Sequence, residues 1–251
     1  MHINGRTPGE MMRNMRIALL KYGQTVKSED WQGKDNPPEF LELIQVSGDC
    51  YMMHSLNKAA KDINPLLPWA NQHFEERIQG FATNPDPSHV NWLKGNENYK
   101  MNEEKFSHTY SERLWPKDLY TGIRFAVGDL STAVELLKTK PSTRQLVVPM
   151  YMHEDLTASL EGERVPCSLS WNFILRQGLL HCTYTMRSTD AVRHLHNDLY
   201  FANLLTLYLI EQSGIKAKPG NLSFTSTNLH CFENDKYTLK RLIEGKYDYS
   251  I

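Results

Sequence analysis

A chain of 251 residues, 40% hydrophobic and 23% charged, holds enough apolar material for one large domain or two small ones. Its 28 Lys+Arg balance 29 Asp+Glu to a net charge of -1, which argues against a protein that coats nucleic acid by counterion release but leaves room for a small anion held by a few arginines. No apolar run approaches the ~18–20 residues of a membrane helix, the first residues lack an apolar signal core, and Cys50, Cys167, Cys182 and Cys231 lie far apart with no CxxC pair, so the expectation is a reduced, cytoplasmic protein without metal or membrane partner.

In chain order, residues 8–22 carry Met11, Met12, Met15, Ile17, Leu19 and Leu20 at helical spacing. Residues 38–46 read as a strand and 71–81 as a helix. Residues 82–105, rich in Asn and Glu with two prolines, read as a long surface excursion, a kind of segment that is often functional. Residues 129–140 read as a helix with Asp129 or Ser131 as its cap, and 145–152 as a buried strand. Residues 167–188 form a hairpin that turns at Arg176-Gln177-Gly178. Residues 198–214 are apolar almost all round, which predicts a buried helix stopped by Gly214, and 221–227 is a further strand. No repeat or linker interrupts the chain, so one domain spanning 1–251 is expected. The mixed order with hairpins makes the fold class α+β.

The chemistry concentrates in 164–205. Cys167 follows Pro166 at the start of one hairpin strand, and Arg187-Ser188-x-Asp190 ends the other. An arginine and a neighbouring hydroxyl can hold one phosphate. The same cation would favour the thiolate of a nearby cysteine, as a nucleophile requires. Asn197-Asp198 opens the buried helix. Taken singly, each residue also fits a structural role: a cysteine as a small core hydrophobe, Asp198 as a helix cap.

The joint spacing resembles the thymidylate synthase superfamily. The matching features are Pro166-Cys167, the hairpin, Arg187-Ser188-x-Asp190, the carboxamide-or-carboxylate position at Asp198, and His230 in TSTNLHCFENDKY. Upstream, PSTRQLVV resembles the family's arginine segment through Arg144, and Tyr110 its tyrosine segment. Asp198 stands where thymidylate synthases carry Asn. HLHNDLYFANLL together with Met186-Arg187-Ser188 looks like phage-type deoxycytidylate hydroxymethylases. The hydrogen-bond pattern agrees: a carboxylate accepts from cytosine N4 and, when protonated, donates to N3, whereas it meets uracil O4 acceptor against acceptor.

The resemblance implies a homodimer built across its sheet, with 5,10-methylenetetrahydrofolate as co-substrate. It implies that Cys167 attacks pyrimidine C6, Asp198 stabilises N3, C5 takes the methylene carbon, and water then adds to the exocyclic methylene to give a 5-hydroxymethyl nucleotide. Arg187, Ser188 and Arg144 would hold the phosphate, Arg144 from the partner subunit. His230 would face the sugar, and Asp190 the pterin. Asn197 and Tyr110 would line the nucleotide site, and Trp92 the substrate or folate. Location would be cytoplasmic, or the host cytoplasm for a phage protein.

The family's glutamate near C5 is assigned to Glu75 or Glu76; a register through Arg77 would instead put Ile78 there. Gln145 replaces a second phosphate arginine, and Phe232 replaces a tyrosine near the sugar, so deoxyribose and ribose both remain open. The competing readings are a uridylate methylase or hydroxymethylase and a non-catalytic nucleotide-binding relative.

Overall fold

The computed structural model describes residues 1–27, 38–91, 100–102, 105–115 and 130–246, with backbone alone at 100–102. The helices are α1 (Pro8–Tyr22), α2 (Leu56–Ile63), α3 (Trp69–Ile78), α4 (Ser111–Leu114), α5 (Leu130–Thr139), α6 (Glu154–Leu160), α7 (Leu195–Ser213) and α8 (Lys236–Ile243). The strands are β1 (Gln24–Lys27), β2 (Glu39–Tyr51), β3 (Lys100–Asn102), β4 (Lys105–Phe106), β5 (Leu146–Pro149), β6 (Ser168–Arg176), β7 (Leu179–Asp190) and β8 (Lys218–Phe232).

Six strands form one sheet in the order β1-β2-β8-β7-β6-β5, while β3 and β4 pair separately. The β7–β8 pairing is parallel and every other pairing in the sheet is antiparallel, so this is a mixed sheet in an α+β fold. Helix α7 is the crossover that makes the parallel pair possible. Alternation along the strands puts Trp171, Phe173, Cys182, Tyr184, Met186, Leu222 and Phe224 inside. These meet α7, whose Leu195, Leu199, Tyr200, Leu205 and Leu209 are all buried. Burying a side chain of this size is worth roughly 1.5–3 kcal/mol, so the sheet–α7 contact is an apolar anchor for the site.

Local signals explain the boundaries. Thr7 accepts from Glu10 N at 3.2 Å and Pro8 occupies the first turn of α1. The hairpin turns on Gln177 and Gly178, both at positive φ (52° and 73°), the pair a tight two-residue turn requires. Gly214 ends α7 at φ 67°.

The structure corrects several expectations. Helix α7 begins three residues before Asp198, so Asp198 lies within its first turn and does not cap it. Strands β2 and β8 extend well beyond 38–46 and 221–227, because long pairing with each other carries them past their apolar stretches. Ser131 is the second residue of α5, and Asp129 lies outside the described residues. Within the presumed surface excursion, Asp86 and Ser88 are each only 4% exposed. They turn inward beside α3, in and just before a short 3-10 segment, Pro87–Asn91.

Candidate active site

One cleft collects side chains from α3, the Pro87–Asn91 segment, β4 and the following loop, the ends of β7 and β8, and the start of α7. Of the residues singled out in the sequence, Cys167, Arg187, Ser188, Asp190, Asn197, Asp198, Tyr110 and His230 all line it. Trp92 lies outside the described residues.

The hairpin builds the first wall. Arg187 N donates to Cys167 O at 2.9 Å, which fixes the backbone on either side of the thiol. Burial pushes the Cys167 thiol above its ordinary range; Arg187 and Arg164 pull it down and Asp198 pushes it further up. Arg187 spans the loop ahead of Cys167, its Nε donating to Pro166 O and its Nη2 to Val165 O, both at 2.9 Å. Ser188 Oγ lies 3.2 Å from His230 Nδ1, which is also 2.9 Å from Asn228 Oδ1. The β7–β8 register, pairing Ser188 with Asn228 and Asp190 with His230, sets these neighbours side by side.

Two carboxylates occupy the floor. Thr189 Oγ1 donates to Asp198 Oδ2 at 2.7 Å. Burial drives the Asp198 pKa up to about 7, against the pull of Thr189 and Arg77, with Asp190 pushing it further. Asp198 can therefore carry a proton near neutrality. Asp190, 3% exposed, accepts from Val192 N (2.8 Å) and Arg193 N (3.0 Å) through Oδ1. Its Oδ2 accepts no hydrogen bond among the described residues and lies 3.8 Å from the Arg193 guanidinium. A buried acceptor left open costs free energy unless a ligand fills it. Asn197 Oδ1 accepts from Leu66 N at 3.0 Å, so this oxygen ties α7 to the chain ahead of α3.

The second wall brings in His73, Arg77, Asp86 and Ser88, which the sequence reading did not assign to the site. Arg77, 5% exposed, is sandwiched between Tyr110 and Phe201, with its guanidinium carbon 4.2 and 4.1 Å from their ring centroids. Tyr110 Oη accepts from Ser168 Oγ at 3.4 Å, adjacent to Cys167. Arg77 Nη2 donates to His73 Nε2 at 3.0 Å, and His73 stacks on Trp69. The i, i+4 spacing of His73 and Arg77 on α3 was the available signal. The inward turn of Asp86 and Ser88 gave none, because it depends on a tertiary network with Thr83 and Ser111.

The two glutamates on α3 separate. Glu75 is exposed and absent from the cleft lining; it reads as a solvated helix charge. Glu76 is 8% exposed and accepts from Ser88 N and, at 2.6 Å, from Ser88 Oγ. Its Oε2 lies 3.3 Å from His73 Nδ1, so Glu76 stands behind His73 and does not line the cleft itself. Ile78 on the alternative register does not line it either. Ligand atoms of His73, Glu76 and Asp86 fall within 4.8 Å of one another, but the Arg77 cation on the same imidazole opposes a second positive charge there. Arg144 is exposed in the loop ahead of β5 and does not line its own chain's cleft. No helix among the described residues is long and apolar enough to cross a membrane.

Comparison with known proteins fits this geometry. The chain is 24% identical over 207 residues to a protein of Methanococcoides burtonii named "Putative thymidylate synthase", covering 82% of this chain and 79% of that one. It is 25% identical over 209 residues to a protein of the same name from Methanosarcina barkeri, with the same coverage. It is also 25% identical over 122 residues to the "Thymidylate synthase" of Buchnera aphidicola, covering 48% of this chain and 44% of that one. The family model described as "Thymidylate synthase" matches residues 88–248, a span containing the whole hairpin wall, and the chain belongs to the thymidylate synthase family.

Proposed function

We propose that this protein is a cytidylate 5-hydroxymethylase, transferring the one-carbon unit of 5,10-methylenetetrahydrofolate to C5 of (d)CMP and completing the reaction with water. The family supports folate-dependent one-carbon transfer to a nucleotide. The choice of cytosine rests on one observation: a carboxylate, Asp198, in the cleft with Cys167, with its pKa pushed up to about 7. Thr189 occupies one oxygen. The protonated group can then donate to cytosine N3 and accept from N4, while uracil's N3–H and O4 present the opposite pattern.

The remaining residues take complementary roles. Cys167 attacks C6 as the thiolate; Arg187 and Arg164 favour that form against burial and Asp198, which together still hold the thiol pKa up. Arg187 and Ser188 bind the phosphate, and His230, held by Asn228, faces the sugar. Asp190 suits the pterin, because its open Oδ2 is a buried acceptor for a donor-bearing ring. Arg144, exposed and outside its own cleft, is donated to a partner's phosphate in a homodimer.

The test is a paired measurement on dCMP, CMP and dUMP with methylenetetrahydrofolate. The expected nucleotide product is 5-hydroxymethylcytidylate by mass, with tetrahydrofolate released. A methylated product with dihydrofolate overturns the hydroxymethylase assignment. A strong preference for dUMP overturns the role given to Asp198 and favours the activity named in the archaeal relatives.

A further inference from the structure

The chemistry proposed above must remove the hydrogen on pyrimidine C5, and that reading already gives the hairpin wall's groups other roles. Cys167 is the nucleophile, Asp198 serves N3, His230 faces the sugar, and Asp190 serves the pterin through Oδ2, its Oδ1 being committed to two backbone amides. The opposite wall presents a different arrangement. His73 lines the cleft, while Glu76 behind it does not.

The hydrogen bonds fix the state of His73. A guanidinium cannot accept, so Arg77 Nη2 donates to Nε2 (3.0 Å), and the neutral ring carries its proton on Nδ1. That proton faces Glu76 Oε2 and Ser88 Oγ, each 3.3 Å away, with Asp86 Oδ2 at 4.0 Å. Ser88 closes the arrangement by donating to Glu76 from both its backbone N–H and its hydroxyl. One nitrogen of this cleft-lining imidazole is thus an acceptor, and the other is a donor aimed at a buried carboxylate.

We infer that His73 is the proton relay for C5, passing the C5 hydrogen from the cleft to Glu76, which positions the ring and receives the proton. The inference rests on the C5-transfer reading above. In the step, the C5–H bond breaks and its electron pair becomes the exocyclic double bond. The bond from the methylene carbon to the folate nitrogen breaks, and that nitrogen leaves with the pair and takes a proton from water. The C5 proton joins His73 Nε2, directly or through one water, in place of the Arg77 hydrogen bond. The Nδ1 proton passes to Glu76, so the ring is neutral before and after. Burial and Arg77 hold the His73 pKa well down, which keeps the proton from lodging on the ring. Burial raises that of Glu76, which suits it as the receiver. The arrangement also gives a use to the one glutamate of α3 that is buried, acting through a residue three positions earlier.

Release of tritium from [5-³H]dCMP and [5-³H]dUMP into water in the presence of 5,10-methylenetetrahydrofolate tests this, run beside nucleotide affinity and thermal melting. His73→Gln keeps a hydrogen-bonding side chain but cannot pass a proton. It should slow release by on the order of 100-fold or more, with nucleotide Kd close to the parent's. Glu76→Gln should slow it in the same way, with Kd again unchanged, which a merely structural loss would not produce. If His73→Gln fails to fold, Glu76→Gln carries the test. Release within twofold of the parent in either folded variant overturns the relay. A parent chain that releases tritium from neither nucleotide overturns the C5-transfer reading itself.

Discussion

The two walls of the cleft are built differently. On the hairpin wall, Cys167, Arg187, Ser188 and Asp190 sit at the paired ends of two adjacent strands, and Asp198 follows one helical turn into α7. Their spacing is a direct consequence of strand pairing. On the α3 wall, His73, Arg77, Asp86 and Ser88 come from a helix and a 3-10 segment held together by buried side-chain hydrogen bonds. The first wall holds the proposed nucleophile and the groups proposed to read the nucleotide. The second holds a shielded set of charges that act on the first, since Arg77 pulls down the pKa of Asp198 across the cleft.

The sharpest way to break this division is at the nucleophile. Cys167→Ser should reduce turnover by on the order of 10^4-fold or more, because a neutral hydroxyl is a far weaker nucleophile than a thiolate. Nucleotide binding should persist. Cys182→Ser and Cys231→Ser, both buried away from the cleft, should retain activity where they fold. Near-parental turnover by Cys167→Ser would remove the hairpin wall's claim to the chemistry.

Base choice should respond next. Asp198→Asn replaces a group whose anionic form accepts from cytosine N4 and repels uracil O4 with an uncharged amide that can turn its donor and acceptor to match either base. An unpaired buried polar group costs roughly 1–3 kcal/mol, so the preference for dCMP over dUMP should fall by about 100-fold. Competition binding of the two nucleotides measures this. An unchanged ratio would place base reading elsewhere.

Phosphate contacts come third. Losing a charge-assisted hydrogen bond costs roughly 1.5–3 kcal/mol, so Arg187→Ala should weaken dCMP binding by about 10- to 150-fold and leave deoxycytidine nearly unaffected. Arg144→Ala should do the same only through the dimer. Mixing Arg144→Ala with Cys167→Ser chains should recover activity in hybrid dimers. No recovery under confirmed subunit exchange would return Arg144 to the surface role its exposure suggests.

How legible each region was follows from the same contrast. The hairpin was readable because its turn residues and alternation are local, and α7 because its apolar face is continuous. The parallel β7–β8 pairing was not, since alternation names a face and never a partner strand. Helix α2 was missed because only Ala59 and Ile63 of its eight residues are buried. Glu75 and Glu76 looked equivalent in sequence, and only packing sends one to solvent and the other behind His73. The segment at 86–88 read as surface because its polarity is satisfied inside, by Thr83, Ser111 and Glu76, and not by water.

The smallest effect joins the two walls through proton linkage. The folded pKa of Asp198 is about 7, raised from an ordinary 3.8, so between these values the folded chain holds a proton that the unfolded chain has lost. Stability contributed by Asp198 is therefore fully present below pH ~3.8 and is lost as pH rises through ~7. Asp198→Asn is uncharged at every pH and removes this slope. Its melting temperature relative to the parent should rise steadily from pH 4 to pH 8. Asp86, Glu76 and Asp235 are also raised by burial, but they titrate in parent and variant alike and largely cancel in the difference. The groups acting on Asp198 are Thr189 and Asp190 from β7 and Arg77 from α3. Arg77→Met keeps an apolar filler between Tyr110 and Phe201 while deleting the cation, so it should push the Asp198 pKa still higher. The stability loss then extends to higher pH. If protonated Asp198 donates to N3, the alkaline limb of kcat/KM for dCMP should move upward with it. A limb that stays in place while the melting curves shift would mean that the proton on Asp198 belongs to folding and not to base recognition.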